Sequence, residues 1–254
     1  MNKKCKVLIL FMLFIGALIL ISSNRECKSS YVTFTFDDGY QEQYDTAFPI
    51  LQEHNIQATI YVITDKIGKE FEGTTLMSLT GIKSLQKAGW EIGSHTVTHT
   101  DLTKIPVSEI EKELENSKNF LLEKGFHINS VSIPYGKYNS QVLNLADKHY
   151  NTIRTSNKGY NYLPNLNKTN LKVQYVTNET NLDEMKLWVD YAKKDNTWLI
   201  VLIHLVRESK QSSYSEYGIS SKDLEGLIEY VVSQNININT LSGVIDEYDQ
   251  CRHK

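Results

Sequence analysis

The stretch Tyr31-Val32-Thr33-Phe34-Thr35-Phe36-Asp37-Asp38-Gly39 decides how this chain is read. Its first six residues alternate and are rich in β-branched and aromatic side chains, the pattern of a strand. Two adjacent carboxylates end that strand, and Gly39 permits the tight turn that follows. A second apolar segment, residues 90–93, delivers Ser94-His95-Thr96-Val97-Thr98-His99 in the same manner. The two stretches supply one carboxylate and two imidazoles for a divalent ion, with one carboxylate left over to act as a base. That set of parts suits metal-assisted hydrolysis. The i, i+4 spacing lets both imidazoles face one ion if the segment makes a helical turn.

Outward from these stretches, strand-like and helix-like segments alternate. Residues 40–54 have helical spacing, and residues 58–63 form a β-branched apolar run. Residues 79–88 read as a helix stopped by Gly89. Ser108, with Glu111 three residues later, has the pattern of a capping box opening a helix that runs to Gly125. Residues 130–133 read as a strand and residues 141–149 as a helix. Short strands are expected at 152–155 and 172–176, and a helix at 181–194. Residues 197–204 are the most apolar strand after the leader. Ser220 starts the last long helix, and residues 236–238 close the set. Repeated strand–helix units imply a parallel sheet covered by helices, and their count fits an α/β barrel better than an open sheet. Asp37, Asp38, His95, Tyr135 and His204 all fall at or just past the C-terminal ends of these strands, the face that carries active sites in barrels. Residues 157–170, rich in Asn and Lys, are expected to form a loop near that face.

The chain has 254 residues, 41% hydrophobic and 22% charged, which suits one globular domain with a sizeable core. A net charge of -3 gives no electrostatic footing for nucleic acid. The first 23 residues differ. Lys3, Lys4 and Lys6 precede an apolar stretch over residues 7–21, then Ser22 and Ser23. This is a signal peptide or an N-terminal membrane anchor, and either places residues 24–254 outside the cytoplasm. Asn24-Arg25-Glu26 before Cys27 is no lipobox. Cys27 and Cys251 flank the domain. They either pair across the closed ends of a barrel in an oxidising compartment or remain two terminal thiols.

With Ile133-Pro134-Tyr135-Gly136 and Leu202-Ile203-His204 following in order, residues 31–248 resemble the polysaccharide deacetylases of carbohydrate esterase family 4. The resemblance implies a distorted, incomplete (β/α) barrel of about seven parallel strands and removal of acetyl groups from an N-acetylglucosamine polymer. It implies Asp38, His95 and His99 as ligands for a divalent metal, Zn²⁺ first, with Co²⁺ or Ni²⁺ also compatible with mixed N and O donors. It implies Asp37 as the base, His204 as the acid, and the Tyr135 N–H as the oxyanion donor. Pro134 would hold the Tyr135 turn, and Leu202 would line the acetyl pocket. A monomer is expected.

Two departures stand out. The family's arginine two residues before the Pro of this turn is replaced by Ser132, and Arg154 is the candidate to pair with Asp37 instead. The family's Asp-x-x-Asp-Trp motif is not evident, and residues 157–162 occupy roughly its place. An O-acetyl esterase on a xylan-like glycan uses the same parts, and a non-catalytic carbohydrate-binding protein would share the fold. Thr96 stands where a His-Glu-x-x-His protease needs its Glu, and no Gly-x-Ser-x-Gly elbow marks a nucleophilic serine.

Overall fold

The computed structural model describes residues 30–208 and 216–252. The expected leader at residues 1–23 lies outside the described residues. Among the described residues no helix is long and apolar enough to cross a membrane.

Seven parallel strands close into a ring. They are β1 (Tyr31–Phe36), β2 (Thr59–Val62), β5 (Glu91–Ser94), β6 (Ser130–Ser132), β7 (Thr152–Lys158), β8 (Leu171–Tyr175) and β9 (Trp198–Ile203). The ring closes where β1 pairs with β9 over six residues, from Tyr31 against Trp198 to Phe36 against Ile203. Between β2 and β5 a short hairpin, β3 (Glu70–Phe71) and β4 (Thr74–Thr75), rises beside the barrel mouth. The helices outside are α1 (Phe48–Glu53), α2 (Leu79–Lys87), α3 (Val107–Glu123), α4 (Ser140–His149), α5 (Leu182–Lys194) and α6 (Ser221–Ser233). A small parallel pair, β10 (Leu205–Arg207) with β11 (Gly218–Ser220), extends β9 past the ring.

Strand alternation sorts the core into two layers. Val32, Phe34 and Phe36 face outward with Ile60, Ile92, Ile153 and Val201, and the apolar stripes of the helices pack on them. Tyr31, Tyr61, Val173, Trp198, Ile200 and Leu202 fill the inside. Side-chain hydroxyls line that interior too, and Trp198 donates its indole N–H to Thr33 at 2.9 Å. Burial of a Trp is tolerated when its N–H finds such a partner. Space inside is tight. A Cβ on Gly93 would sit 2.5 Å from the Tyr61 ring.

The distortion has two identifiable wedges. The lower edge of β1 pairs not with β2 but with β12 (Asn237–Ile238), so β1 and β2 meet only through Thr35–Thr59 and Phe36–Ile60. The second wedge is Asn161. Its main chain bridges Trp198. Its side chain donates to Lys172 O at 2.8 Å and accepts from Lys172 N–H at 2.9 Å. One residue thus fills the gap between β8 and β9, whose direct pairing covers only Gln174–Val201 and Tyr175–Leu202. The loop expected near the active face therefore runs away from it after Lys158. The reason is that the Asn161 amide can serve two strands at the opposite end.

Other expectations shift as well. The helix expected over residues 40–54 carries a π-helical stretch at Gln43–Ala47 before α1. The capping box at Ser108 does not form. Pro106 takes the cap position of α3, two residues earlier, with no side-chain cap. A proline fits a helix start because it has no N–H to leave unpaired. Ser78, Asn139, Asn181 and Ser220 do cap their helices through side-chain oxygens. Sequence reading passed over one further helix, α7 (Leu241–Arg252), whose Leu241, Val244 and Ile245 plug the lower end of the barrel. Glu91 anchors its start, accepting from Ser242 N–H at 2.6 Å and Ser242 Oγ at 2.8 Å. Cys251 lies within this helix, and it is disulfide-bonded. The partner expected for it, Cys27, lies outside the described residues.

Replacing Asn161 with Ala leaves the Lys172 N–H and C=O without their partner in a partly buried seam. The variant should lose about 1–3 kcal/mol of stability, taking about 0.5–1.5 per lost bond, as measured by urea denaturation.

Candidate active site

The interior-facing alternation of β1 continues one residue past its end and turns Asp37 into the barrel mouth. Asp38 follows at φ 72 and Gly39 at φ 85. Two consecutive left-handed residues reverse the chain sharply, so the two carboxylates diverge and serve different partners. A side chain at position 39 would meet Val62 Cγ1 at 3.2 Å, and its φ already favours glycine.

His95 leaves β5 in line with the strand, and His99 returns after a loop. That loop is not a helical turn. Thr96 and His99 both have positive φ, 65 and 64. Three bonds to Glu113 on α3 hold it, from Val97 N–H and Thr98 N–H at 2.9 Å each and from the Thr98 hydroxyl at 2.8 Å. The left-handed bend brings the two rings to 4.7 Å between centroids, which an external brace achieves without helix.

Asp38 Oδ1 stands 3.4 Å from both His95 Nε2 and His99 Nε2. One ligand atom from each of the three lies within 4.8 Å of the others. The donors fit a divalent cation on three grounds. Asp38 Oδ1 is buried and accepts no hydrogen bond. His95 Nδ1 lies 2.8 Å from Ser132 O, so its proton sits there and Nε2 keeps a free lone pair. Burial lowers His95 to about 4, with the nearby Asp37 opposing and Arg154 assisting. Burial likewise lowers His99 to about 3, assisted by His95. Both rings are therefore neutral at pH 7, as ligands must be. Burial and the neighbouring Asp37 together push Asp38 well above the usual carboxylate range. A cation at this point removes that penalty.

Asp37 has the opposite environment. Burial raises it, but the Arg154 guanidinium, then His95 and His204, outweigh burial and hold it below its ordinary value. Arg154 is 1% exposed and gives a guanidinium nitrogen to both Asp37 oxygens and to Ser132 Oγ. Ser132 Oγ also donates to Asp37 Oδ2 at 3.3 Å. Arg154 lies within β7 rather than at its end, and its register partner on β6 is Ser132. A guanidinium from the next strand thus reaches the carboxylate across the position where Ser132 stands. The Tyr61 ring supports it from one face, 5.0 Å from the guanidinium carbon.

Tyr135 sits in the turn Pro134–Gly136 at φ 57. The turn closes through Gly136 N–H to Ile133 O and Lys137 N–H to Pro134 O, and neither bond uses the Tyr135 N–H. Gly136 is obligatory, because a Cβ there would lie 1.5 Å from Ser156 Oγ. Leu202 is buried, and His204 follows β9 directly. Burial lowers the His204 ring, with Asp37 opposing that shift, so the resting imidazole is neutral at pH 7.

These residues share one cleft of about 480 Å³, which takes in Asp37, Asp38, His95, His99, Tyr135, Arg154, Leu202 and His204. Sequence reading missed other members. Tyr40, Glu72, Tyr175 and Tyr217 also line the cleft. Glu72 comes from the β3–β4 hairpin, whose Phe71 lies edge-on to His99 at 5.5 Å. None of these carries a motif, and only the fold brings them in.

A model of the polysaccharide deacetylase family matches residues 24–153. The chain belongs to that family. The matched segment holds both carboxylates, both histidines of the cluster and the Tyr135 turn, and it ends one residue before Arg154. YxkH of Bacillus subtilis (strain 168), provisionally named a polysaccharide deacetylase, is 31% identical over 52% of this chain and 46% of its own. The poly-β-1,6-N-acetyl-D-glucosamine N-deacetylase of Staphylococcus aureus (strain COL) is 28% identical over 65% of this chain and 61% of its own. The chain thus spans between 46% and 61% of the length of these curated relatives. A Streptococcus pyogenes deacetylase solved with acetate superimposes with a TM-score of 0.51 at 28% identity, covering 55% of this chain and 62% of that one. The Xyl-CE4 domain of a termite-gut metagenome xylanase shares the fold, with a TM-score of 0.59 at 18% identity over 86% and 90% of the two chains.

Arg154→Ala strands a buried carboxylate and should cost about 3–5 kcal/mol at neutral pH. In the native protein Asp37 titrates below its unfolded value. Its pairing therefore stabilises above roughly pH 4 and is lost as pH falls through the folded value. In the variant burial outweighs what Ser132, His95 and His204 still contribute, and the folded value rises above the unfolded one, so the penalty disappears on acidification. Urea denaturation in metal-free buffer should show the gap between the two proteins closing from pH 7 towards pH 4.

Proposed function

We propose that this chain is a metal-dependent deacetylase acting on N-acetylglucosamine units of an extracellular or cell-wall polysaccharide. The carrying observation is the Asp38–His95–His99 cluster set beside a second carboxylate, Asp37, that Arg154 keeps ionised. One carboxylate lacks a cation and the other has one, so the pair divides into ligand and base. The names of the staphylococcal relatives favour an N-acetyl substrate over an O-acetyl one. The basic and then apolar leader supports export of the domain.

A divalent ion held by Asp38, His95 and His99, Zn²⁺ by the donor set, supplies Lewis acidity, which polarises an amide carbonyl and lowers the pKa of water to about 7. The protein supplies the rest. Asp37 takes the proton from the attacking water, and Arg154 and Ser132 aim its oxygens. The Tyr135 N–H, presented by the left-handed turn, donates to the developing oxyanion. Leu202 packs against the acetyl methyl. His204 faces the departing nitrogen. Its ring is neutral at rest, so the proton it delivers is one that comes ultimately from the attacking water, and Asp37 and His204 handle that proton in sequence. Such a relay lets the amine leave neutral.

The test measures acetate release by the purified protein from N-acetylglucosamine oligomers, with and without Zn²⁺ or Co²⁺. Asp37→Asn should bind the ion and lose about 10²–10⁴-fold in kcat, while His95→Ala should lose the ion as well. Release from O-acetylated glycans alone would reassign the substrate. Failure to bind any ion would return the protein to a non-catalytic carbohydrate-binding role.

A further inference from the structure

Gln43 is fully buried at the barrel mouth and is not itself part of the cleft wall. Its single amide nitrogen donates to Asp37 O at 2.6 Å and to His204 O at 2.7 Å. Those two carbonyls belong to the residues read above as base and acid. Regular β1–β9 pairing ends with Phe36 against Ile203, followed by Asp37 N–H to Ile203 O at 3.0 Å. Beyond that point the strands part, and their next carbonyls have no ladder to join. An amide NH₂ has two protons on one atom, and each carbonyl takes one. The clamp is local in sequence for Asp37, six residues away, and distant for His204, 161 residues away.

The helix carrying Gln43 is built for this reach. Gln43 opens the π-helical stretch Gln43–Ala47, and its own carbonyl accepts from Phe48 N–H, a wide i to i+5 turn. A π turn inserts one extra residue and rotates the side chains before it relative to those after it. Such insertions carry an energetic cost and recur at functional sites. Here Gln43 and Ala47 face the interior together.

We propose that Gln43 is a positioning residue. By clamping the two main-chain carbonyls it fixes the separation between the Asp37 and His204 side chains across the cleft. The inference rests on the reading of those two residues as base and acid. A misplacement of about 1 Å in such a pair costs roughly 10²-fold in rate. A change that loosens the clamp therefore lowers kcat while leaving the ion and the sugar bound.

Gln43→Met keeps the length and volume and removes both donors. Thr35→Val serves as the matched control. It deletes another buried bond of the same seam, Thr35 Oγ1 to Val201 O at 3.0 Å, away from the cleft. Both variants should lose comparable thermal stability. Gln43→Met should lose ten-fold or more in kcat, with KM and Co²⁺ affinity within two-fold of wild type, and Thr35→Val should keep kcat within two-fold. Imidazole NMR of histidine-labelled protein reads His204 without turnover, and its ring signals should move in Gln43→Met and not in Thr35→Val. Unchanged kcat and unchanged His204 signals in Gln43→Met overturn the inference, as does a parallel loss of kcat in both variants. A wild-type protein inert on every acetylated glycan defeats the deacetylase reading instead, and the His204 signals alone then decide whether Gln43 sets that ring's position.

Discussion

Everything at the mouth of this barrel depends on β1 lying against β9. These strands are far apart in sequence, yet they pair in register over six residues, the longest pairing in the ring. Registry is binary for a strand, since a slip of one residue turns every side chain to the other face. Here it puts Val32, Phe34 and Phe36 under the helices and sends Thr33, Thr35 and Asp37 inward. It also brings residue 37 level with residue 204. The same pairing that closes the hydrophobic layer therefore juxtaposes the two residues proposed to move the proton. Stability and site geometry are one constraint at this seam.

The second constraint is electrostatic. Two adjacent carboxylates enter a water-poor cleft, and both cannot remain charged without compensation. The chain resolves the conflict asymmetrically. Asp37 receives a guanidinium, a hydroxyl and the field of nearby imidazoles. Asp38 receives two neutral ring nitrogens and no cation of its own. The unequal treatment separates the roles of two residues that the sequence presents as equivalent. Arg154 achieves this from β7 because Ser132 on β6 is its register partner and is small enough to let the guanidinium pass above it. In a parallel sheet a side chain on one strand and its register partner on the next project into the same space. A charge can therefore move between such positions without leaving the site.

How much of this was legible follows from what kind of signal each feature leaves. Strand ends carrying Asp37, Asp38, His95 and His204 were readable because polar residues interrupt apolar runs at those points. Arg154 was readable as a candidate because the family's arginine is missing at Ser132 and another arginine stands in a neighbouring strand. The helical reading of residues 95–99 failed because spacing of four does not distinguish a helical turn from a left-handed loop, and the brace that decides it, Glu113, lies in another helix. The helix α7 went unseen because its buried face is short, only Leu241, Val244 and Ile245, and it packs on the end of a barrel rather than along a sheet. Asn161 sat in a stretch whose composition says loop, and its two-sided bonding exists only once β8 and β9 are apart.

Gln43 shows the limit most clearly. It lies in a segment with ordinary helical periodicity, and nothing in its neighbours marks it as buried. Its importance arises from two carbonyls, one of them 161 residues distant, that lose their ladder partners at the same height. Backbone groups at the ends of strands must be satisfied, and at a barrel mouth the groups needing satisfaction are those next to the reacting side chains. A residue that satisfies them necessarily fixes those side chains. The end of a hydrogen-bond ladder is therefore a place where folding and positioning converge on one atom, here the Gln43 amide nitrogen.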